Sequence, residues 1–157
     1  MNAWKWYGFP GHHICGARCR YHLATNIANI FLVSTLGCFA PDPLRQPHKI
    51  ETIADEATYE TMVFCIQGED RFGNPKKVNF TERYTKRYND SIIAEKSHYE
   101  ICELFSKIAN QIDLTKYTEL ANAITINRES EDYEAMDQAN EALSDLVAKI
   151  LGEINGA

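Results

Sequence analysis

The sequence has no uninterrupted apolar run of the length that crosses a membrane. Its longest candidate, residues 27–39, is interrupted by Asn29, Ser34 and Thr35, whereas a spanning helix needs about 18 or more predominantly apolar residues. Residues 1–6 show no charged segment followed by an apolar core and a small-residue cleavage site. We therefore expect no membrane span, no secretory leader and a cytoplasmic location.

Paired cysteines and glycine-rich phosphate loops are also missing. The five cysteines, at positions 15, 19, 38, 65 and 102, are an odd number, and a reducing compartment keeps them as thiols. Neither GxxxxGK[ST] nor GxGxxG occurs anywhere in the chain. These absences argue against a disulfide scaffold and exclude nucleotide hydrolysis of the P-loop type.

Basic residues are sparse in the C-terminal half. Residues 1–88 hold 11 Lys and Arg against 8 Asp and Glu, a net charge of +3, and residues 89–157 hold 5 against 14, a net charge of −9. Because phosphate contacts depend on clustered Lys and Arg, this argues against direct nucleic-acid binding through the C-terminal half. Its acidity suits either a solvated helical surface or a basic partner.

The first part of the chain has the periodicity of β-strands. Residues 18–27 and 30–38 are rich in β-branched and aromatic residues, and they predict a hairpin that turns at Ala28-Asn29. Residues 58–67 alternate with apolar residues on both faces, which indicates a central strand. Residues 78–84 resume the alternation and predict the strand that pairs with it.

The second part has the periodicity of helices. From residue 90 apolar residues recur every three or four positions, with Asn89 or Asp90 as the N-terminal cap of the first helix. Further helices are predicted to open at Thr115 and Ser130. The expected fold is α+β, with a small antiparallel β-sheet covered by a helix and a C-terminal acidic helical hairpin. We divide the chain into residues 1–110, the sheet with its first helix, and residues 111–157, the acidic helical extension. Whether the hairpin packs on the sheet or projects from it stays open, as does a homo-oligomer formed through it.

Metal-binding side chains are concentrated near the N-terminus, at His12, Cys15, Cys19 and His22, with His13 as the alternative to His12. Thiolate and imidazole are the ligands that zinc prefers, so these four residues are candidates for a tetrahedral zinc site. Cys19 and His22 are three residues apart, however, and on one strand such side chains point to opposite faces. The alternative is buried cysteines and a hydrogen-bonded strand histidine. As catalytic residues, His12 or His22 would act on a nucleotide or phosphoester, alone or with a neighbouring cysteine.

Aromatic residues are interleaved with basic ones in the same region. Trp6 and Arg20 are candidates for a platform on which a base or nucleotide stacks. The alternative is that the aromatic side chains close the end of the sheet core. His98 falls on the apolar stripe of its helix, and we assign it a structural role.

Four short motifs and a helix start follow one another over about residues 4–105. They are Gly11-His12-His13-Ile14, Cys19-Arg20-Tyr21-His22 with Thr25, Leu32-Val33-Ser34-Thr35 with Gly37, Tyr59-Glu60-Thr61-Met62-Val63-Phe64, and Arg87-Tyr88 before a helix with Ala94 and His98. In this order the chain resembles a group of short uncharacterised proteins encoded by bacteriophages and related mobile elements. It departs from them at residues 26–29, where a glycine-containing turn is expected, and in the acidic segment after about residue 110.

The resemblance implies a phage accessory protein that acts on host machinery in the host cell cytoplasm, and it implies no particular reaction. We therefore expect a protein that binds a host protein or sequesters a nucleotide-like ligand and so counteracts host defence. The alternative is a small His/Cys enzyme, zinc-dependent if the four N-terminal ligands assemble, that acts on a nucleotide or phosphoester.

Overall fold

A computed structural model describes residues 4–6, 19–39, 57–69, 71 and 75–156. Within these ranges the strands come first along the chain and the helices follow. The strands are β1 (Trp4–Trp6), β2 (Cys19–Ile27), β3 (Phe31–Phe39), β4 (Tyr59–Glu69) and β5 (Pro75–Tyr88), and the helices are α1 (Ser91–Gln111), α2 (Leu114–Glu129) and α3 (Tyr133–Gly156). The predicted α+β class is confirmed.

The five strands form one antiparallel sheet in the order β1-β2-β3-β4-β5, so that each strand pairs with the next one along the chain. The predicted hairpin and central strand are confirmed as β2–β3 and β4. Strand β5 is longer at both ends than the predicted residues 78–84. Its ends carry Lys77, Lys86 and Arg87, because a strand at the edge of a sheet tolerates charged residues that interrupt the apolar alternation.

The turn between β2 and β3 uses the left-handed region of backbone conformation twice. Ala28 and Asn29 have φ angles of 52° and 60°, and the amide of Ile30 donates to the carbonyl of Ile27 over 2.9 Å. Positive φ at both central residues is the pattern of a type I′ turn, whose twist matches that of the flanking strands. Asparagine tolerates this conformation readily, whereas alanine is strained in it.

One face of the sheet packs against the helices. Alternate residues of β2, β3 and β4 point towards them, among them Ile27, Phe31 and Val63, all of which are buried. The rings of Phe31 and Phe105 on α1 meet edge to face with centroids 5.0 Å apart, a favourable arrangement for aromatic pairs. The other face carries a separate buried cluster that includes Leu32.

An aspartate caps the N-terminus of each of the first two helices. The Asp90 carboxylate accepts from two backbone amides of the first turn of α1, both over 2.9 Å, as predicted for a capping residue. Asp113 accepts from the amides of Thr115 and Lys116 at the start of α2, over 3.0 and 3.1 Å. Helix α2 therefore begins at Leu114, one residue before the predicted Thr115.

The predicted start of the third helix at Ser130 is wrong. Ser130 is the C-terminal cap of α2, and its amide donates to the carbonyl of Ile126. Glu131 then takes a φ of 60°, which ends the helical path. Asp132 accepts from the amide of Ala135 over 3.1 Å, so the new helix begins at Tyr133. Serine and aspartate are both favoured caps, and the sequence alone did not separate them.

The acidic helices pack into the main core rather than projecting from it. Helices α2 and α3 form an antiparallel hairpin, and Tyr117, Ala121 and Leu143 from this hairpin are buried in the same cluster as Phe31 and Phe105. The acidic hairpin of the predicted fold is thus confirmed. The division of the chain near residue 110 stays a prediction.

Candidate functional site

The predicted zinc ligands fall largely outside the described residues. His12 and Cys15 lie in a range that the structure does not describe, and Cys19 is described only through its backbone, at the start of β2. His22 is an exposed residue of the same strand. Within the described part of the chain, no three His, Cys, Asp or Glu residues come together as a metal site. The zinc hypothesis therefore stays a prediction.

The predicted aromatic platform is described only in part. Trp6 is 64% exposed, and its ring stacks on that of His98 with an interplanar angle of 6° and centroids 6.3 Å apart. The edge of Tyr99 meets the same indole. Arg20 is described only through its backbone in β2, so its part in the platform stays a prediction.

His98 lies beneath Trp6 in a fully buried polar network. Its Nε2 is 2.9 Å from the Thr25 hydroxyl oxygen and its Nδ1 is 2.8 Å from that of Thr35. The Thr35 hydroxyl is in turn 2.7 Å from that of Thr61. Burial lowers the pKa of His98 from 6.5 to about 4, because a charged imidazolium would lose its hydration there. The neutral ring has one donor and one acceptor nitrogen, and a threonine meets each. The structural role assigned to His98 is confirmed.

A buried acid on the opposite face of the sheet is also paired. Glu60 is 1% exposed, and the Arg87 Nε donates to its carboxylate over 2.7 Å across the β4–β5 pair. A buried carboxylate with an arginine partner avoids most of the cost of desolvating a lone charge. The pair adds one side-chain contact to the pairing of β4 with the edge strand β5.

A cleft of about 530 Å³ opens between the β2–β3 turn, the adjoining ends of β4 and β5, and helix α2. Three groups of residues line it. From the turn come Ala28, Asn29 and Ile30, from the strand ends Gln67 and Lys77, and from α2 Leu114, Tyr117, Thr118, Ala121, Asn122 and Thr125. The volume lies within the roughly 300–1,000 Å³ of small-molecule sites.

The floor of the cleft is held in place by Tyr117. This buried side chain reaches from α2 to the sheet, and its hydroxyl donates to the backbone carbonyls of Ile30, over 2.8 Å, and Ile66, over 2.6 Å. Burial is the largest cause that raises the pKa of the Tyr117 phenol, so the hydroxyl keeps its proton and remains a donor. Helix and sheet thus keep a fixed separation beside the cleft.

The inner wall is built on Gln67. Its side-chain amide donates to the backbone carbonyl of Ala121, and its amide oxygen accepts from the Thr125 hydroxyl over 2.5 Å. Both contacts fix the carboxamide in one orientation against α2. Leu114, at the start of α2, is 59% exposed and adds apolar surface to the same cleft.

Among the described residues that line the cleft, Lys77 is the one that brings charge. The Lys77 ammonium donates to the Glu129 carboxylate over 2.9 Å, and the two side chains are 40% and 66% exposed. This hydrogen bond and the positive charge of Lys77 lower the pKa of Glu129. Lys77 is also the cross-strand partner of Gln67, so the two side chains leave the sheet on the same face, and both line the cleft.

Comparison with known proteins does not assign this site. No protein-family model, curated protein or solved structure matches the chain. Among the described residues, no helix combines the length and apolarity needed to cross a membrane.

Sequence reasoning missed the cleft. Its residues come from the turn at 28–30, from Gln67 and Lys77 at the strand ends, and from 114–125 on α2. They are brought together only by packing α2 against the ends of the strands. The one local signal was the predicted turn at Ala28-Asn29, which forms one rim. Asn122 and Thr118 on α2 read as ordinary exposed polar residues of a helix.

Proposed function

We propose that this chain is a small-ligand binding protein that holds a nucleotide-like molecule in the cleft between the β2–β3 turn and α2. The observation that carries the proposal is the cleft itself, which combines a volume of about 530 Å³ with apolar lining residues, several carboxamides and one lysine. Small-ligand sites have this composition, largely apolar with a few polar groups that fix orientation.

The lining chemistry favours a flat heterocycle. Leu114 and Ala28 are exposed and offer apolar surface on which a planar ring can lie. Three residues contribute carboxamides: Asn29, Gln67 and Asn122. A carboxamide both donates and accepts hydrogen bonds, and it matches the paired donor and acceptor positions on the edge of a nucleobase. Beyond its contacts with Ala121 and Thr125, the Gln67 carboxamide has a second N–H and a second oxygen lone pair with which to meet a ligand.

Sequestration of a nucleotide-like ligand is one of the two activities expected from the resemblance to phage accessory proteins. A phage accessory protein that sequesters a nucleotide-like molecule removes it from host proteins by mass action, and it needs no catalytic residue. Binding of this kind would counteract host defences that depend on a small diffusible nucleotide. The capacity of such a protein is stoichiometric, so its effect would scale with its abundance.

Isothermal titration calorimetry with the four common nucleosides and their 5′-monophosphates tests the proposal. At about 0.3 kcal/mol per heavy atom, a nucleoside of about 19 heavy atoms binds with a dissociation constant on the order of 0.1 mM. We expect saturable binding of at least one base in this range, with one site per chain. If none of the eight compounds gives a saturable heat of binding at millimolar concentration, the proposal is contradicted.

A matched pair of variants locates the binding. Thr118 lines the cleft, and Glu119 is the next residue of the same helix, exposed and outside the lining. Thr118→Tyr fills the cleft and is expected to abolish binding, whereas Glu119→Tyr places the same ring outside it and is expected to bind as the wild type. Equal binding by both variants would place the ligand elsewhere.

A second candidate function is the binding of a basic host protein through α3. Three acids on this helix, Asp137, Glu141 and Asp145, recur at every fourth position and are exposed. They stand in one row on the side away from the core. A basic surface is the complementary partner for such a row.

Charge-neutralised variants test this second candidate better than truncation does, because α2 and α3 belong to the main core. In one variant the three acids of α3 become amides. In the control the three exposed acids of α1, Glu95, Glu100 and Glu103, become amides, with the same change in net charge. A basic host protein that is recovered by the wild type and the α1 variant but lost by the α3 variant supports the candidate. Equal recovery by all three proteins removes it.

A further inference from the structure

The charge at the cleft has a consequence for which form of the ligand binds. We propose that the cleft selects a nucleoside monophosphate over the uncharged nucleoside. The phosphate would replace the Glu129 carboxylate as the partner of the Lys77 ammonium. This inference rests on the proposed function and names the ligand class of the same cleft.

Lys77 is placed to bind one anionic group of a ligand in the cleft. Among the described lining residues it carries the only formal charge, and it adjoins Gln67 across the β4–β5 pair. A ring that lies beside Gln67 therefore has Lys77 as the neighbouring side chain on the same face of the sheet. Lysine binds phosphate as a point charge and needs no fixed bidentate geometry.

Glu129 is a partner that a phosphate can displace. It does not line the cleft, its side chain is 66% exposed, and Lys77 is 40% exposed. Exposed ion pairs contribute little to stability because water and salt screen them. A phosphate monoester carries about −1.5 to −2 charges at neutral pH and offers three acceptor oxygens, so it is the stronger partner for one ammonium.

A single ammonium also limits how much phosphate the cleft favours. The second and third phosphates of a triphosphate would add charge with no further cation from the described lining residues. Repulsion and lost hydration then offset the gain from additional contacts. The monophosphate is expected to be preferred over the nucleoside, with no comparable gain from the monophosphate to the triphosphate.

Calorimetry with adenosine, its 5′-monophosphate and its triphosphate tests the inference on the full chain at low salt. If a different nucleoside binds best in the first titration, that nucleoside and its phosphates are used instead. We expect the wild type to bind the monophosphate about tenfold more tightly than the nucleoside, the effect of one charge-assisted contact. Lys77→Met is expected to remove this preference and leave nucleoside binding in place, and Lys77→Arg to retain it. Glu129→Gln, which removes the competing carboxylate, is expected to raise monophosphate affinity a few-fold.

Two controls match these changes in charge on exposed positions of α2 outside the cleft lining. Lys116→Met and Glu119→Gln are expected to bind like the wild type. If the wild type binds nucleoside and monophosphate equally, or if Lys77→Met keeps the preference, the inference is overturned while the proposed function stands. If no nucleoside, monophosphate or triphosphate binds the wild type, the proposed function fails and this inference fails with it.

Discussion

Protonation of the buried His98 is expected to make the fold sensitive to acid. The ring is fully buried and faces the hydroxyls of Thr25 and Thr35 and the rings of Trp6 and Tyr99. Neither hydroxyl can neutralise an imidazolium charge. Burial holds the pKa at about 4 in the folded protein against 6.5 for an ordinary histidine, so the unfolded chain binds a proton that the folded chain does not.

The sign and size of the effect follow from this difference. A histidine whose folded pKa is depressed stabilises the fold fully above about pH 6.5, and this contribution is lost as the pH falls towards 4. With the two pKa values of 6.5 and about 4, the loss is about 2 kcal/mol by pH 5 and approaches 3 kcal/mol near pH 4.

Urea denaturation followed by circular dichroism at pH 8, 7, 6, 5 and 4.5 measures this loss. His98→Gln keeps a group that donates and accepts but cannot gain a proton, so its free energy of unfolding should fall by about 2 kcal/mol less than that of the wild type between pH 7 and 5. His22→Gln replaces an exposed histidine and should follow the wild type. If the His98→Gln variant and the wild type lose stability in parallel, the reasoning about the buried ring is refuted.

Three further predictions concern the turn, the cleft floor and the zinc hypothesis. Ala28→Gly should raise the free energy of unfolding by about 1 kcal/mol, because glycine takes a positive φ without strain. The control, Ala148→Gly on α3, should lower it by a similar amount. Denaturant midpoints measure both, and a loss of stability in Ala28→Gly would contradict the strained turn. Tyr117→Phe should lower the free energy of unfolding by about 1–2 kcal/mol through the lost hydrogen bonds to buried carbonyls. It should also weaken the fall in stability above about pH 10 that the raised pKa of Tyr117 imposes. An unchanged dependence of stability on alkaline pH would contradict the buried, protonated phenol. Metal analysis of protein made without a histidine tag should show stoichiometric zinc that Cys19→Ser abolishes if the zinc site exists; folded, metal-free protein would remove that hypothesis.

Much of the fold could be predicted because its signals are local. The alternation in β4 and the three- and four-residue spacing in α1 follow from which side chains face the core, and each needs only neighbouring residues to be recognised. The cap at Asp90 is similarly local. Helix α3 was misplaced by three residues because Ser130 and Asp132 are both acceptable caps, and the choice depends on the turn at Glu131, whose positive φ no pattern indicated.

The candidate site was less accessible to sequence reasoning because it has no motif. The predicted ligand-type residues are close together in sequence, which made them visible, but His12 and Cys15 lie outside the described residues. The cleft instead depends on how far α2 stands from the sheet, and Tyr117 sets that distance through contacts with residues 51 and 87 positions away in the chain. From the sequence, Tyr117 could be recognised only as a buried aromatic residue of α2, and the partners of its hydroxyl could not be predicted.

The location of binding is tested most directly by two-dimensional amide NMR during titration with the adenosine monophosphate, or with whichever monophosphate gives the strongest calorimetric signal. We expect saturable shifts concentrated at Asn29, Gln67, Lys77 and Asn122, four of the residues that line the cleft. Shifts confined to the surroundings of Trp6, or no saturable shifts at millimolar ligand, would contradict the claim that this cleft is the functional site.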